Sequence, residues 1–273
     1  MPRERINGID INVEAGASGS PLLMLHGFTG STQAWQGIPE QLGAEIRPVL
    51  VDLIGHGQTS APDDPDRYQI KHAVEDIVAL LDHLEIDQTA LLGYSMGGRV
   101  ALHLALAHPD RVSALILESA STGIDDPAER RKRRLADEQQ AEMIERDGLG
   151  SFINHWESIP LFRSQHNMPA LKRRRQRKLR LSQSPTGLAN SLRGMGAGAM
   201  NPVTSRLTVF PVPVLYLAGE YDEKYRAIGE QLASTVPDGR YVEIPGAGHT
   251  IHLEQPEAYV GVVQRFLEET RMQ

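Results

Sequence analysis

Ser95 stands where a side chain can react. Gly93-Tyr94-Ser95-Met96-Gly97 closes an apolar run, TALLGYS, and opens a helical one, GGRVALHLALA. A tight strand-to-helix turn needs small neighbours, lifts the hydroxyl above a sheet edge, and leaves it at a helix N-terminus where N–H groups point outward. A hydroxyl is weak until a base takes its proton. His249, in GAGHTIHLEQP, follows the last apolar run, RYVEIP, on a Gly-rich loop at the strand end where open α/β sheets place their ligands. His252 competes from three residues on, but the small residues before His249 suit a backbone held close to the site. The imidazole in turn needs an acceptor to fix its tautomer. Asp222, in LAGEYDEK after the run PVLYLAG, holds that place, with Glu220 and Glu223 as close competitors. The order serine, acid, histidine is the one such a turn brings.

A developing negative charge needs donors. Leu25-His26-Gly27-Phe28 follows the run PLLMLH, so the amides of Phe28 and Met96 form the expected pair; taken alone, the segment reads equally well as a buried apolar turn. With no cysteine, disulfides, thiolate metal sites and thiol nucleophiles drop out together. The ten histidines form no HxxEH, HxH or tight His/Asp cluster, so no metal and no cofactor is expected.

The elements that must position these groups are legible from periodicity. RINGIDINV reads as two strands around the tight turn Asn7-Gly8. PLLMLH, RPVLVD, TALLGYS, VSALILE, PVLYLAG and RYVEIP are short continuous apolar runs, as expected for strands buried on both faces. Between them, residues 71–84 put Val74, Ile77, Val78, Leu81 and Leu84 on one stripe, and residues 98–107 form a second apolar helix. The alternation predicts an α/β fold, a mostly parallel central sheet with helices on both faces.

The rhythm breaks near Ser121 and resumes near Pro211, so residues 1–121 and 207–273 are expected to form the body and residues 122–206 an inserted helical lid. The insertion holds 16 Lys/Arg against 9 Asp/Glu, a net +7, which leaves −14 on the body for the −7 of the whole chain. Ordinary usage, 40% hydrophobic and 23% charged, fits a soluble globular protein. No apolar run reaches the roughly 20 residues of a spanning helix, and MPRERINGIDINVEAG lacks the apolar centre of a secretory signal, so a cytoplasmic protein without membrane contact is expected. The basic run KRRRQRKLR has no interleaved aromatics and sits in an acidic chain, which argues against a nucleic-acid partner; GMGAGA follows no strand and lacks the Lys-Ser/Thr of a phosphate loop. Oligomeric state leaves no mark on the sequence.

Through LHGFTGS, DLIGHG, GYSMGGRVAL, LAGEYDEK and GAGH the chain resembles the α/β-hydrolases over essentially its whole length. Among them it is most similar to the 2-succinyl-6-hydroxy-2,4-cyclohexadiene-1-carboxylate synthases of menaquinone biosynthesis. That narrower likeness rests on GYSMGGR, ERRKRRLAD, FINHWESIPLF, SPTGLANSLRGMGAG and GEYDEK. The resemblance implies a triad of Ser95, Asp222 and His249, and substrate contacts from Tyr94, Arg99, Arg133, Trp156 and Arg180. Arg133 follows from the ERxxRxxxD spacing at Glu129, Arg130, Arg133 and Asp137, and Arg180 from the arginine before LSQSPTGLA. Two departures bear on substrate placement. Glu157 replaces the tyrosine that commonly follows the lid tryptophan, and Met200-Asn201-Pro202 with Val203-Thr204 replaces a glutamine-proline and a tryptophan. A carboxylate beside an anion site repels the ligand, so either Glu157 faces solvent or the specificity has drifted.

The implied reaction is elimination of pyruvate from a cyclohexene bearing three carboxylates. Arginine pairs with carboxylate through two parallel charge-assisted hydrogen bonds, so a basic lid over an acidic body suits an anionic small molecule. Most insertion charges must still coat helix surfaces. Arg99, one turn after Ser95 on an apolar helix, is expected to meet an anion or a carboxylate, because an unpaired buried charge is costly. The same triad would serve a carboxylesterase, and a ligand-binding receptor that kept the hydrolase shape would carry it unused.

Overall fold

In the computed structural model, which describes residues 3–271, the Asn7-Gly8 turn joins β1 (Arg3–Ile6) to β2 (Ile9–Ala15) as an antiparallel hairpin. Both turn residues take positive φ, 45° and 84°, as a two-residue turn matched to strand twist requires. The continuous apolar runs become β3 (Ser20–Leu25), β4 (Ile46–Val51), β5 (Thr89–Tyr94), β6 (Val112–Glu118), β7 (Val214–Gly219) and β8 (Gly239–Ile244). Across the sheet the order is β1-β2-β4-β3-β5-β6-β7-β8, and every pair from β4 to β8 is parallel.

Period-two alternation splits these strands between two cores. Leu23, Leu25, Leu91, Leu115 and Tyr216 face α1 (Ile70–His83) and α2 (Met96–Ala107), while Leu22, Met24, Leu92, Ile116 and Leu217 face the opposite layer. The buried line of α1 runs through Ile70, Ala73, Val74, Ile77, Leu80 and Leu81, which leaves the expected stripe members Val78 and Leu84 only partly covered. The face is rotated toward Leu80, a position the stripe omitted.

Between β6 and β7 the chain leaves the sheet for α3 (Pro127–Ser158), α4 (Ala170–Leu181) and α5 (Pro185–Met195). Asp126 caps α3 by accepting from the amides of Ala128 and Glu129, and Gly148, at φ 82° and ψ 162°, kinks it. α3, α5 and the segment that follows α3 share a small apolar core of their own, including Ile144, Phe152, Trp156, Phe162 and Leu188, against which Phe28 of the body packs. After β7 come α6 (Glu223–Thr235), α7 (Ile251–Glu254) and α8 (Pro256–Arg271), the last filling the second core with Tyr259, Val263 and Phe266. No helix among the described residues is long and apolar enough to cross a membrane.

Candidate active site

The turn after β5 forces Ser95 into an unusual backbone conformation, φ 50° and ψ −103°. Such a conformation costs about 1–3 kcal/mol for a residue with a side chain. It persists because small neighbours permit it: a Cβ on Gly93 would lie 2.5 Å from the Cα of Gly98, and one on Gly27 would lie 2.6 Å from the ring of Tyr94. The Ser95 amide donates to the Glu118 carbonyl at the end of β6, so the turn is tied to the neighbouring strand.

His249 arrives on the loop after β8, and Asp222 at the end of β7, as the N-cap residue of α6. Both are buried, and Nδ1 of His249 lies 2.6 Å from Oδ2 of Asp222. An ionised carboxylate only accepts, so Nδ1 carries the proton. Nε2 then presents its lone pair to the Ser95 hydroxyl, 3.1 Å away. The three side chains thus meet at the C-terminal edge of the sheet. The competitors are engaged elsewhere: Glu220 accepts from the Gly246 amide, Glu223 is exposed, and His252 is buried with Nδ1 donating to Glu118 at 2.8 Å.

Phe28 and Met96 line the cavity above Ser95. The loop carrying Phe28 is braced by His26, whose Nδ1–H donates to the Gly27 carbonyl and whose Nε2 accepts from the Leu53 amide. Burial pushes His26 down to about 4, so it is neutral, as that pair of hydrogen bonds requires. Asp52, at the end of β4, braces the next turn by accepting from the Thr32 and Gln58 amides and the Asn12 side chain.

The cavity has a volume of about 280 Å³. One wall is aromatic: Trp156 meets Phe28 edge-on at 5.3 Å, and Phe162 lies 6.0 Å from the His249 ring. The other is cationic, with Arg99, Arg133 and Lys224, and no carboxylate among the described residues lines it. A larger cleft of about 640 Å³ opens between α1, α2 and the insertion, but it mixes both signs of charge and includes neither Ser95 nor His249.

The residues expected to contact substrate divide. Tyr94, Arg99, Arg133 and Trp156 line the cavity; Arg180 does not. Arg180 is buried behind Phe162, its guanidinium 5.0 Å from that ring centre, and it donates to Glu157 at 3.1 Å and to Gln165 at 3.3 Å. Glu157 also accepts from Arg177, so the carboxylate that breaks the expected pattern is absorbed by two arginines of α4 and stays out of the cavity. Of the two partners expected for Arg99, an anion or a carboxylate side chain, no carboxylate side chain is found among the described residues, and the place of Arg99 in the cavity wall leaves it facing the ligand space. It meets the Met195 carbonyl at 2.7 Å in place of a carboxylate, and its buried Nε has no partner among the described residues. Burial first, then the charge of Arg133, pulls Arg99 down to about 10. Arg133 is bound by Asp137 at 2.8 Å, one helical turn on.

Sequence reasoning missed Lys224 and Tyr225, whose ring lies 4.7 Å from His249. A signal was available for the lysine: a cation in the first turn of a helix opposes the helix dipole and needs a reason to be there. Also missed was Gln165, which donates to Thr250 Oγ1 while Tyr94 shares a hydrogen bond with the same oxygen, a buried relay joining the insertion to the histidine loop. No group of three or more metal-ligating side chains occurs among the described residues.

The α/β hydrolase fold family model matches residues 20–256. A Bacillus subtilis (strain 168) protein with the provisional name 2-succinyl-6-hydroxy-2,4-cyclohexadiene-1-carboxylate synthase is 44% identical over 246 residues, 90% of this chain and 89% of that one. The structure of MenH from S. aureus superposes with a TM-score of 0.91 at 35% identity, covering 96% of this chain and 98% of that one. A malate-bound thermophilic esterase from Thermogutta terrifontis superposes at 0.84 and 31% identity, covering 96% and 94%. The chain therefore belongs to the α/β-hydrolase fold family and, within it, to the 2-succinyl-6-hydroxy-2,4-cyclohexadiene-1-carboxylate synthases.

Proposed function

We propose that the protein is a carbon–oxygen lyase that eliminates pyruvate from 2-succinyl-5-enolpyruvyl-6-hydroxy-3-cyclohexene-1-carboxylate to give 2-succinyl-6-hydroxy-2,4-cyclohexadiene-1-carboxylate. The observation that carries this reading is the charge of the cavity: three cations and no carboxylate line it, among the described residues, beside a serine hydrogen-bonded to histidine. A ligand with several carboxylates meets that potential; a neutral ester has no use for it.

Ser95 passes its proton to Nε2 of His249 as its oxygen takes the proton alpha to the succinyl ketone. The electron pair moves onto the ketone oxygen, where the Phe28 and Met96 amides stabilise the enolate, and Asp222 stabilises the imidazolium. Collapse of the enolate forms the ring C2=C3 double bond, the C3=C4 pair shifts to C4=C5, and the C5–O bond breaks; the His249 imidazolium protonates the departing enolpyruvate, which leaves and tautomerises to pyruvate. No cofactor enters. Residues 122–206 act as a lid whose Trp156 and Phe162 exclude water from one side of the ring, over a body made of residues 1–121 and 207–273.

The same serine could attack an ester carbonyl and form an acyl-enzyme, and the likeness to a thermophilic esterase keeps that reading in view. Purified protein is given the enolpyruvyl substrate and followed for pyruvate, beside a short aryl ester followed for acid. Pyruvate release that falls at least about 10⁴-fold in Ser95→Ala supports the lyase. Ester turnover alone overturns it in favour of the esterase, and silence in both assays favours a receptor.

A further inference from the structure

We propose that Lys224 is a separate carboxylate-binding cation of the Ser95 cavity, holding a substrate carboxylate other than the one Arg99 meets, and this rests on the lyase reading above. Lys224 is the second residue of α6, where the exposed amides of the first turn already create positive potential. Its ammonium lies over the ring of Tyr225, 5.3 Å from the centroid, and lines the cavity with Arg99, Arg133 and His249. No ion pair to it forms among the described residues. The acids in its neighbourhood are taken: Asp222 holds His249, and Asp137 holds Arg133.

Like charges gathered around a helix N-terminus raise each other's cost. Burial first and then Arg133 push the Lys224 ammonium below its ordinary pKa, with a lesser push from Arg99, against an opposite pull from Asp222. An anion in the cavity removes that cost at a stroke. The three cations enter from three different elements, Arg99 on α2, Arg133 on α3 and Lys224 on α6, so they approach a ligand from different bearings. A ligand with carboxylates spread over a ring and a side chain can give these bearings separate partners. The lysine also stands two residues from Asp222, so the element that delivers the acid of the triad delivers the cation with it.

The test uses the full chain, the tricarboxylate substrate, and three analogues in which the ring, the succinyl or the enolpyruvyl carboxylate is a carboxamide. Binding is read by quenching of tryptophan fluorescence, since Trp156 lines the cavity, and turnover by pyruvate release. Lys224→Met is expected to weaken binding and raise KM for the tricarboxylate about tenfold or more, with kcat changed far less. It should cost nothing further on one of the three analogues, and Lys224→Arg should restore most of the loss. Equal losses on all four ligands, or no loss on any, would overturn the proposal. If the wild type binds the tricarboxylate through Lys224 yet releases no pyruvate, the lyase reading falls and the site stands. A thermal midpoint for each variant confirms that the fold is intact.

Discussion

In the body, three buried basic groups around the Ser95 site are held by backbone: His26 between the Gly27 carbonyl and the Leu53 amide, His56 on the Ile54 carbonyl, and Arg99 on the Met195 carbonyl. In the insertion, several guanidinium groups are held by carboxylates: Arg133 by Asp137, Arg177 and Arg180 by Glu157, and Arg193 by both Glu138 and Glu145. At the cavity, the insertion's cation Arg133 is thus better neutralised than Arg99 and Lys224 of the body. Net charge overstates what the insertion offers an anion, and the positive charge at the cavity that lacks a carboxylate partner among the described residues comes from Arg99 and Lys224 of the acidic body, Arg133 of the insertion being held by Asp137. A local census of partners outranks a regional sum.

The largest effect should expose the body's dependence on uncharged buried groups. Burial lowers His26 to about 4, and burial together with the charge of His26 lowers His56 to about 3, from an ordinary 6.5. Between those values the unfolded chain binds protons that the folded chain refuses, so stability is complete above pH 6.5 and is lost as pH falls. At about 1.4 kcal/mol per pH unit for each group, roughly 6 kcal/mol is gone by pH 4. Urea midpoints measured from pH 7.5 down to 4.5 should fall steeply, and His56→Gln should flatten the decline by about half. A midpoint independent of pH in that window would mean that the two rings are not shielded from water.

The next effect separates reactivity from stability within the body. Asp222→Asn keeps the shape but supplies an amide that can donate to Nδ1, leaving the proton on Nε2, where it blocks the Ser95 hydroxyl. A loss of roughly 10⁴ in kcat is expected, with KM for the tricarboxylate close to wild type, because the cavity cations are untouched. A KM that rose with the loss of kcat would show the acid to be holding the binding wall as well.

What the sequence made legible follows the same division. Strands, the nucleophile turn and the meeting of Ser95, His249 and Asp222 are backbone consequences: apolar runs define the strands, glycines admit the turn, and strand ends place the loops. Charge partners are not. Arg133 and Asp137 could be paired by eye, being one helical turn apart. Arg180 meets Glu157 across two helices, Arg99 meets a carbonyl 96 residues away, and His252 meets Glu118 134 residues away. Nothing local announces such contacts. Hence the sequence could mark Arg180 as a ligand-binding residue through resemblance alone, and could not see that Phe162 and Glu157 stand between it and the cavity.

Glu157→Gln gives the smallest effect and bears most directly on the comparison. Removing one partner of an ion pair whose arginine is buried costs several kcal/mol when both members are enclosed. Here the carboxylate side chain is 25% exposed while that of Arg180 is 4% exposed, so about 2 kcal/mol of stability is the expected loss, read as a lower urea midpoint. The amide still accepts one hydrogen bond but no longer offsets the charge of Arg177 and Arg180. If the insertion's arginines are spent on its own architecture, KM for the tricarboxylate stays within about twofold of wild type, since Arg180 remains behind Phe162. If KM instead drops severalfold while stability falls, Arg180 has swung past Phe162 to the ligand. Glu157 would then be what keeps a fourth cation from the cavity, and the two regions would differ in how their charge is held in reserve.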